Sequence, residues 1–128
     1  MKFILRQWPG ILWVLIIFLL TGVPGNYFPE VKSFWQWLTP DKTIHVFMFG
    51  VLSVLLLNSN RIQYNQQKFR YTFGVISAGI ILGGLTEYLQ NTVFVRRDGN
   101  LFDFIANVIG TVFGVFIFIL INRKKSGK

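Results

Sequence analysis

The chain has 128 residues, 52% hydrophobic and 17% aromatic, with 14 Phe and a mean hydropathy of +0.50. Charged residues make up 14%, against roughly 25% in an average soluble domain, and 13 Lys/Arg face 5 Asp/Glu for a net charge of +8. A soluble domain this small cannot bury so much apolar surface, and the absence of cysteine excludes disulfides, Cys-zinc sites and thiol chemistry.

Four segments have, or approach, the roughly 20 apolar residues of a membrane-spanning helix. The first covers residues 5–23, with its apolar centre at 10–23. Lys2 and Arg6 ahead of an apolar run look like a signal peptide, but Thr21-Gly22-Val23-Pro24-Gly25 offers no small-x-small cleavage site. The expectation is an uncleaved first span. A loop at 24–39 follows, carrying Tyr27, Phe28, Phe34, Trp35 and Trp37 between prolines. Two readings of it stand: a short interfacial helix or lid at about 31–38, or an aromatic belt at the headgroup level.

The second helix is expected over 40–58, entered through Thr39-Pro40-Asp41 with a hydroxyl cap and Pro at the first helical position. The third is expected over 71–90 and the fourth over 101–121. In lipid these segments must be helical, because an unpaired strand leaves its backbone polar groups unsatisfied. No repeat or low-complexity stretch divides the chain. The expected fold is therefore all-α: one polytopic membrane domain over 1–128, with four transmembrane helices in a small bundle.

The basic residues orient it. Lys2 and Arg6, then Arg61, Lys68 and Arg70, then Arg123, Lys124, Lys125 and Lys128 fall on one side, and only Lys32, Lys42, Arg96 and Arg97 on the other. The positive-inside rule places both termini in the cytoplasm. The cytoplasmic clusters then meet anionic lipid, so the lipid bilayer is the expected partner and nucleic acid is not.

Side chains capable of chemistry concentrate at the opposite, outer level. Asp41, Lys42 and His45 open the second helix, and Glu87 and Gln90 close the third. Arg96, Arg97, Asp98 and Asn100 lie in the connection, and Asp103 and Asn107 open the fourth helix. Gly79, Gly83, Glu87 and Gln90 form one helical stripe, and Asp103, Asn107, Gly110 and Gly114 form another. Each stripe contains a G-x-x-x-G step, so the third and fourth helices are expected to pack through these faces. Charged groups at this depth are costly and normally have a partner or a task. Two readings remain open: a salt-bridge and cap network that fixes helix ends, or a polar pocket.

His45, the sole histidine, is either a satisfied polar group or a proton carrier beside Asp41. Metal binding by His45, Glu87 and Asp103 has no H-x-x-x-H or H-E-x-x-H spacing behind it, so neither a metal nor another cofactor is expected. No Ser nucleophile motif, P-loop or Rossmann fingerprint occurs, and Ser53 and Ser77 read as packing hydroxyls.

Asp41-Lys42-Thr43-Ile44-His45 through Phe49 resembles the D-K-x-x-H-x-x-x-F signature of the VanZ-like family. Glu87-Tyr88-Leu89-Gln90 is similar to its E-x-x-Q element, and Arg97 to Gly110 to its R-x(5)-D-x-x-A-N-x-x-G element. The likeness covers residues 40–114; Asn100 departs from it, standing where Ser is common and offering no hydroxyl. The resemblance implies a small multi-pass protein of the bacterial cytoplasmic (inner) membrane. The family takes its name from a protein associated with resistance to teicoplanin, a cell-wall-directed glycopeptide, and supplies no settled reaction.

The leading expectation is a polar pocket at the outer leaflet that binds or acts on a lipid-linked or cell-envelope ligand. Glu87, His45 and Asp103 are the candidate catalytic acids and bases, and Asp41, Lys42, Gln90, Arg96, Arg97 and Asn107 the candidate ligand-binding residues. Lys42, Arg96 and Arg97 suit phosphate or carboxylate. The alternatives are a small proton-coupled transporter and a non-catalytic assembly or structural factor. Transport is disfavoured because the acids sit at helix ends, away from the midplane.

Overall fold

A computed structural model describes residues 5–24, 40–64, 69–94 and 100–126, with their side chains apart from those of 62–64 and 123–126. Four helices follow one another among the described residues: α1 (Trp8–Thr21), α2 (Pro40–Tyr64), α3 (Phe69–Thr92) and α4 (Leu101–Ser126). The expected aromatic lid or belt, with Arg96 and Arg97, lies outside the described residues.

The helix ends follow local chemistry. Pro40 and Asp41 open α2, where an acid favours the positive end of the helix dipole, and Arg61 stands in its last turn. Asn100 caps α4: its Oδ1 accepts the Phe102 N–H at 3.0 Å, and its carbonyl accepts the Asp103 N–H at 2.9 Å. α3 closes with the N–H groups of Val93 and Phe94 on the Leu89 carbonyl, at 2.8 and 3.0 Å.

Three helical stretches are long and apolar enough to cross a membrane: Pro40–Arg61, Phe69–Thr92 and Leu101–Asn122. α1 is apolar but has only 14 residues, which is about 21 Å at the helical rise and short of a hydrocarbon core of about 30 Å. It nevertheless lies against α2 over most of its length and runs antiparallel to it. Gln7 Nε2, just before α1, donates to Asn60 Oδ1 at 2.7 Å, and Trp13 Nε1 donates to the Met48 carbonyl at 2.8 Å. Ile17 packs into the cluster of Met48, Phe49 and Leu52. At the far end Gln90 Nε2 donates to the Thr21 carbonyl at 3.2 Å, tying α1 to α3.

The bundle has an apolar exterior and encloses polar side chains along with its apolar clusters. Leu19, Ile81 and Phe73 are 74%, 69% and 64% exposed, whereas His45, Thr86 and Asn107 are at or below 1%. That pattern fits lipid around the outside, with close packing and hydrogen bonds between helices within. A second apolar cluster of Leu57, Val75, Val115 and Phe118 joins α2, α3 and α4 towards the end where α2 finishes.

The two small-residue stripes do not simply face one another. Gly79 lies against Thr111, and a Cβ at Gly83 would stand 3.1 Å from Asn107 Cβ, so the α3 stripe meets α4 as expected. Gly110 and Gly114 instead face α2, where a Cβ would come within 2.8 Å of Val46 Cα and 2.9 Å of Gly50 Cα respectively. The reason is angular. Asn107 to Gly110, like Thr111 to Gly114, is a step of three residues, which turns the direction by about 60° around the helix. α4 therefore offers a polar face to α3 and an adjacent glycine face to α2, and α2 and α4 run parallel with their backbones in contact.

Candidate functional site

Where α2 begins, α3 ends and α4 begins, buried polar side chains from all three helices meet. Asn107, fully buried nearly two turns into α4, is the hub. Its Oδ1 lies 2.8 Å from His45 Nδ1, and its Nδ2 donates to Glu87 Oε1 at 3.3 Å and Thr86 Oγ1 at 3.5 Å. An amide has one accepting end and one donating end. A flipped amide would set its oxygen against the Glu87 carboxylate, so Oδ1 is the acceptor and His45 Nδ1 carries the proton. In the neutral ring Nε2 is then the bare nitrogen, and it stands 4.0 Å from Asp41 Oδ1.

Both Glu87 oxygens are engaged. Oε2 accepts the backbone N–H of Asn100 at 2.9 Å, and Oε1 accepts from Asn107. In a capping box the acid three residues beyond the cap reaches back to the cap's own N–H. Here that position is Asp103, yet Glu87 performs the task from α3. Asp103 is released from capping and turns to α2, with its side chain 8% exposed. Its Oδ1 makes no hydrogen bond and lies 3.5 Å from Lys42 Nζ.

The donor atoms of Asp41, His45 and Asp103 all lie within 4.8 Å of one another. His45 is 1% exposed on the inner side of the group, while the Asp41 and Lys42 side chains are 26% and 20% exposed at its edge. One face thus holds an imidazole nitrogen suited to general acid or base work, two carboxylates and an ammonium suited to an anion.

Of the residues singled out from the sequence, Asp41, Lys42, His45, Glu87, Asp103 and Asn107 come together. Gln90 is buried but turns its amide to Thr21 on α1. Thr86 and Thr111 were not anticipated. Thr86 Oγ1 donates to the Gly83 carbonyl at 2.8 Å while facing Asn107, and Thr111 Oγ1 donates to the Asn107 carbonyl at 2.9 Å. The available signal was spacing, since Thr111 continues the Asp103, Asn107 series by one more step of four. Ser53 donates to the Phe49 carbonyl at 3.0 Å, a packing hydroxyl as expected. No family model, curated protein or solved structure matches this chain.

Proposed function

We propose that the chain is a VanZ-like protein of the bacterial inner membrane with four spans and both termini cytoplasmic. In this reading the polar cluster opens to the outer leaflet and binds, or acts on, a lipid-linked or cell-envelope ligand. One observation carries it: the buried His45–Asn107–Glu87 chain across three helices, which holds His45 in a group with Asp41 and Asp103 whose donor atoms lie within 4.8 Å of one another, with Lys42 paired to Asp103 at its edge. Burying this many polar groups is costly in a membrane bundle, and the residues concerned are the ones that carry the family resemblance. Lys42 meets a phosphate or carboxylate of the ligand, and His45 is the base or acid. Glu87 and Asn107 position the imidazole.

The competing assembly reading has its own support, because Glu87 spends both oxygens on locking α3 to α4. Three substitutions separate the readings in cells, with membrane abundance of folded protein followed throughout. Asp41→Asn and Lys42→Gln change the half-exposed edge, and Glu87→Gln changes the lock. The ligand reading expects the edge variants to remain abundant and lose the envelope or glycopeptide phenotype of the parent protein. Edge variants that keep the full phenotype, with Glu87→Gln impaired only in proportion to its abundance, would leave the structural role standing alone.

A further inference from the structure

We infer that Asp41, His45 and Asp103 form a divalent metal site of the mixed nitrogen and oxygen type that takes Zn2+ or Mn2+. The three side chains offer one imidazole nitrogen and two carboxylate oxygens, all within 4.8 Å of one another. Metal–ligand distances of about 2.0–2.2 Å bring such donors to roughly 3–3.5 Å apart, which side-chain rotation of an ångström or two achieves. Asp41 and His45 are four residues apart on one face of α2, and Asp103 comes from α4. The glycine contacts at Gly110 and Gly114 hold those two backbones together.

Two further observations point to a cation. The first is the state of Asp103, 5% exposed, whose Oδ1 has no hydrogen bond and only an ion pair with Lys42 at 3.5 Å. The Lys42 ammonium serves this buried oxygen only at ion-pair distance, and a metal ion would replace it at closer range. The second is the state of His45. A metal-bound histidine almost always donates its other ring N–H to a carbonyl or carboxylate, which fixes the tautomer. His45 Nδ1 donates to Asn107 Oδ1, and Glu87 holds Asn107 from behind. The arrangement leaves Nε2, 4.0 Å from Asp41 Oδ1, as the ligand atom.

Three protein ligands leave coordination positions open, as in zinc sites that bind substrate, and with a metal on Nε2 His45 serves as ligand in place of the acid or base role. Occupation of those positions by phosphate oxygens rests on the ligand reading above; metal binding itself does not. The sequence alone suggested no metal because spacing motifs register ligands on one helix, and here the third ligand comes from a distant one.

The test uses the full-length protein in detergent, stripped with a chelator, then titrated with Mn2+ followed by electron paramagnetic resonance and with Zn2+ by calorimetry. One metal per chain is expected, with a rise in thermal midpoint that the chelator reverses. His45→Ala and Asp103→Asn should abolish binding. Asn107→Ala, which leaves all three ligands in place and removes the hydrogen bond to His45 Nδ1, should weaken it on the order of 10–100-fold. Asp41→Asn, at the half-exposed edge, keeps the test valid if the buried variants do not fold, and it should weaken binding as well. Lys42→Gln removes a competing cation and should tighten it. Folded parent protein that binds neither ion at millimolar concentration overturns the site, as does binding indifferent to both Asp41→Asn and Lys42→Gln. A bound metal without any envelope phenotype would leave the site intact and remove only the ligand reading.

Discussion

Asn107 must satisfy a histidine with one end of its amide and a carboxylate with the other, and no other residue type of its size does both. Asn107→Asp keeps an acceptor for His45 Nδ1 but sets a second acidic oxygen where Nδ2 now stands, 3.3 Å from Glu87 Oε1. A loss on the order of 2 kcal/mol is expected, read by thermal or denaturant unfolding in detergent. Adding Glu87→Gln to the same chain restores a donor between the two and should recover part of it. Simple additivity of the two losses would show that they do not share a hydrogen bond. At this scale the sequence marked the participants well, since most of the polar residues at helix ends do meet. It did not mark their division of labour. Glu87 and Asp103 look equivalent as acids near helix ends, and only the capping of Asn100 by Glu87 makes one a fastener and leaves the other facing His45.

At the scale of the helix, contact between α2 and α4 depends on missing side chains. A methyl at Gly110 or Gly114 meets backbone atoms of Val46 or Gly50, which cannot rotate away. Gly110→Ala and Gly114→Ala should each lower stability by about 1–3 kcal/mol through forced separation of the helices. Gly74 is the internal control: its Cβ would meet nothing within 4 Å, so Gly74→Ala in α3 should be neutral or slightly stabilising. Equal losses at all three positions would mean that helix propensity, not interhelical contact, governs the glycines. The G-x-x-x-G steps were visible in the sequence, but their partner was not. A stripe of small residues says that something approaches closely and leaves open which helix does so.

For the whole molecule, polar groups are enclosed beside two apolar clusters while many large apolar side chains face outward, so lipid completes the structure. α1 tests the span count, being only 14 residues long yet tied to α2 near Asn60 and to α3 at Gln90. The native chain contains no cysteine, so single cysteines report topology cleanly. Cysteines introduced at Lys2, Gln67 and Gly127 should be labelled from the cytoplasmic face, and one at Gly99 from outside. Labelling of Lys2 and Gly127 from opposite faces would show three spans instead of four. Composition alone determined that the chain belongs in a bilayer, because apolar content and sparse charge are sums over residues and need no geometry. Periodicity determined the helical faces, and chain order placed the polar residues at one end of the bundle. Tertiary structure decided which helix each glycine touches, which acid caps α4 and which three donor atoms converge. Each of those depends on the rotation of one helix relative to another, set by packing between residues far apart in the chain.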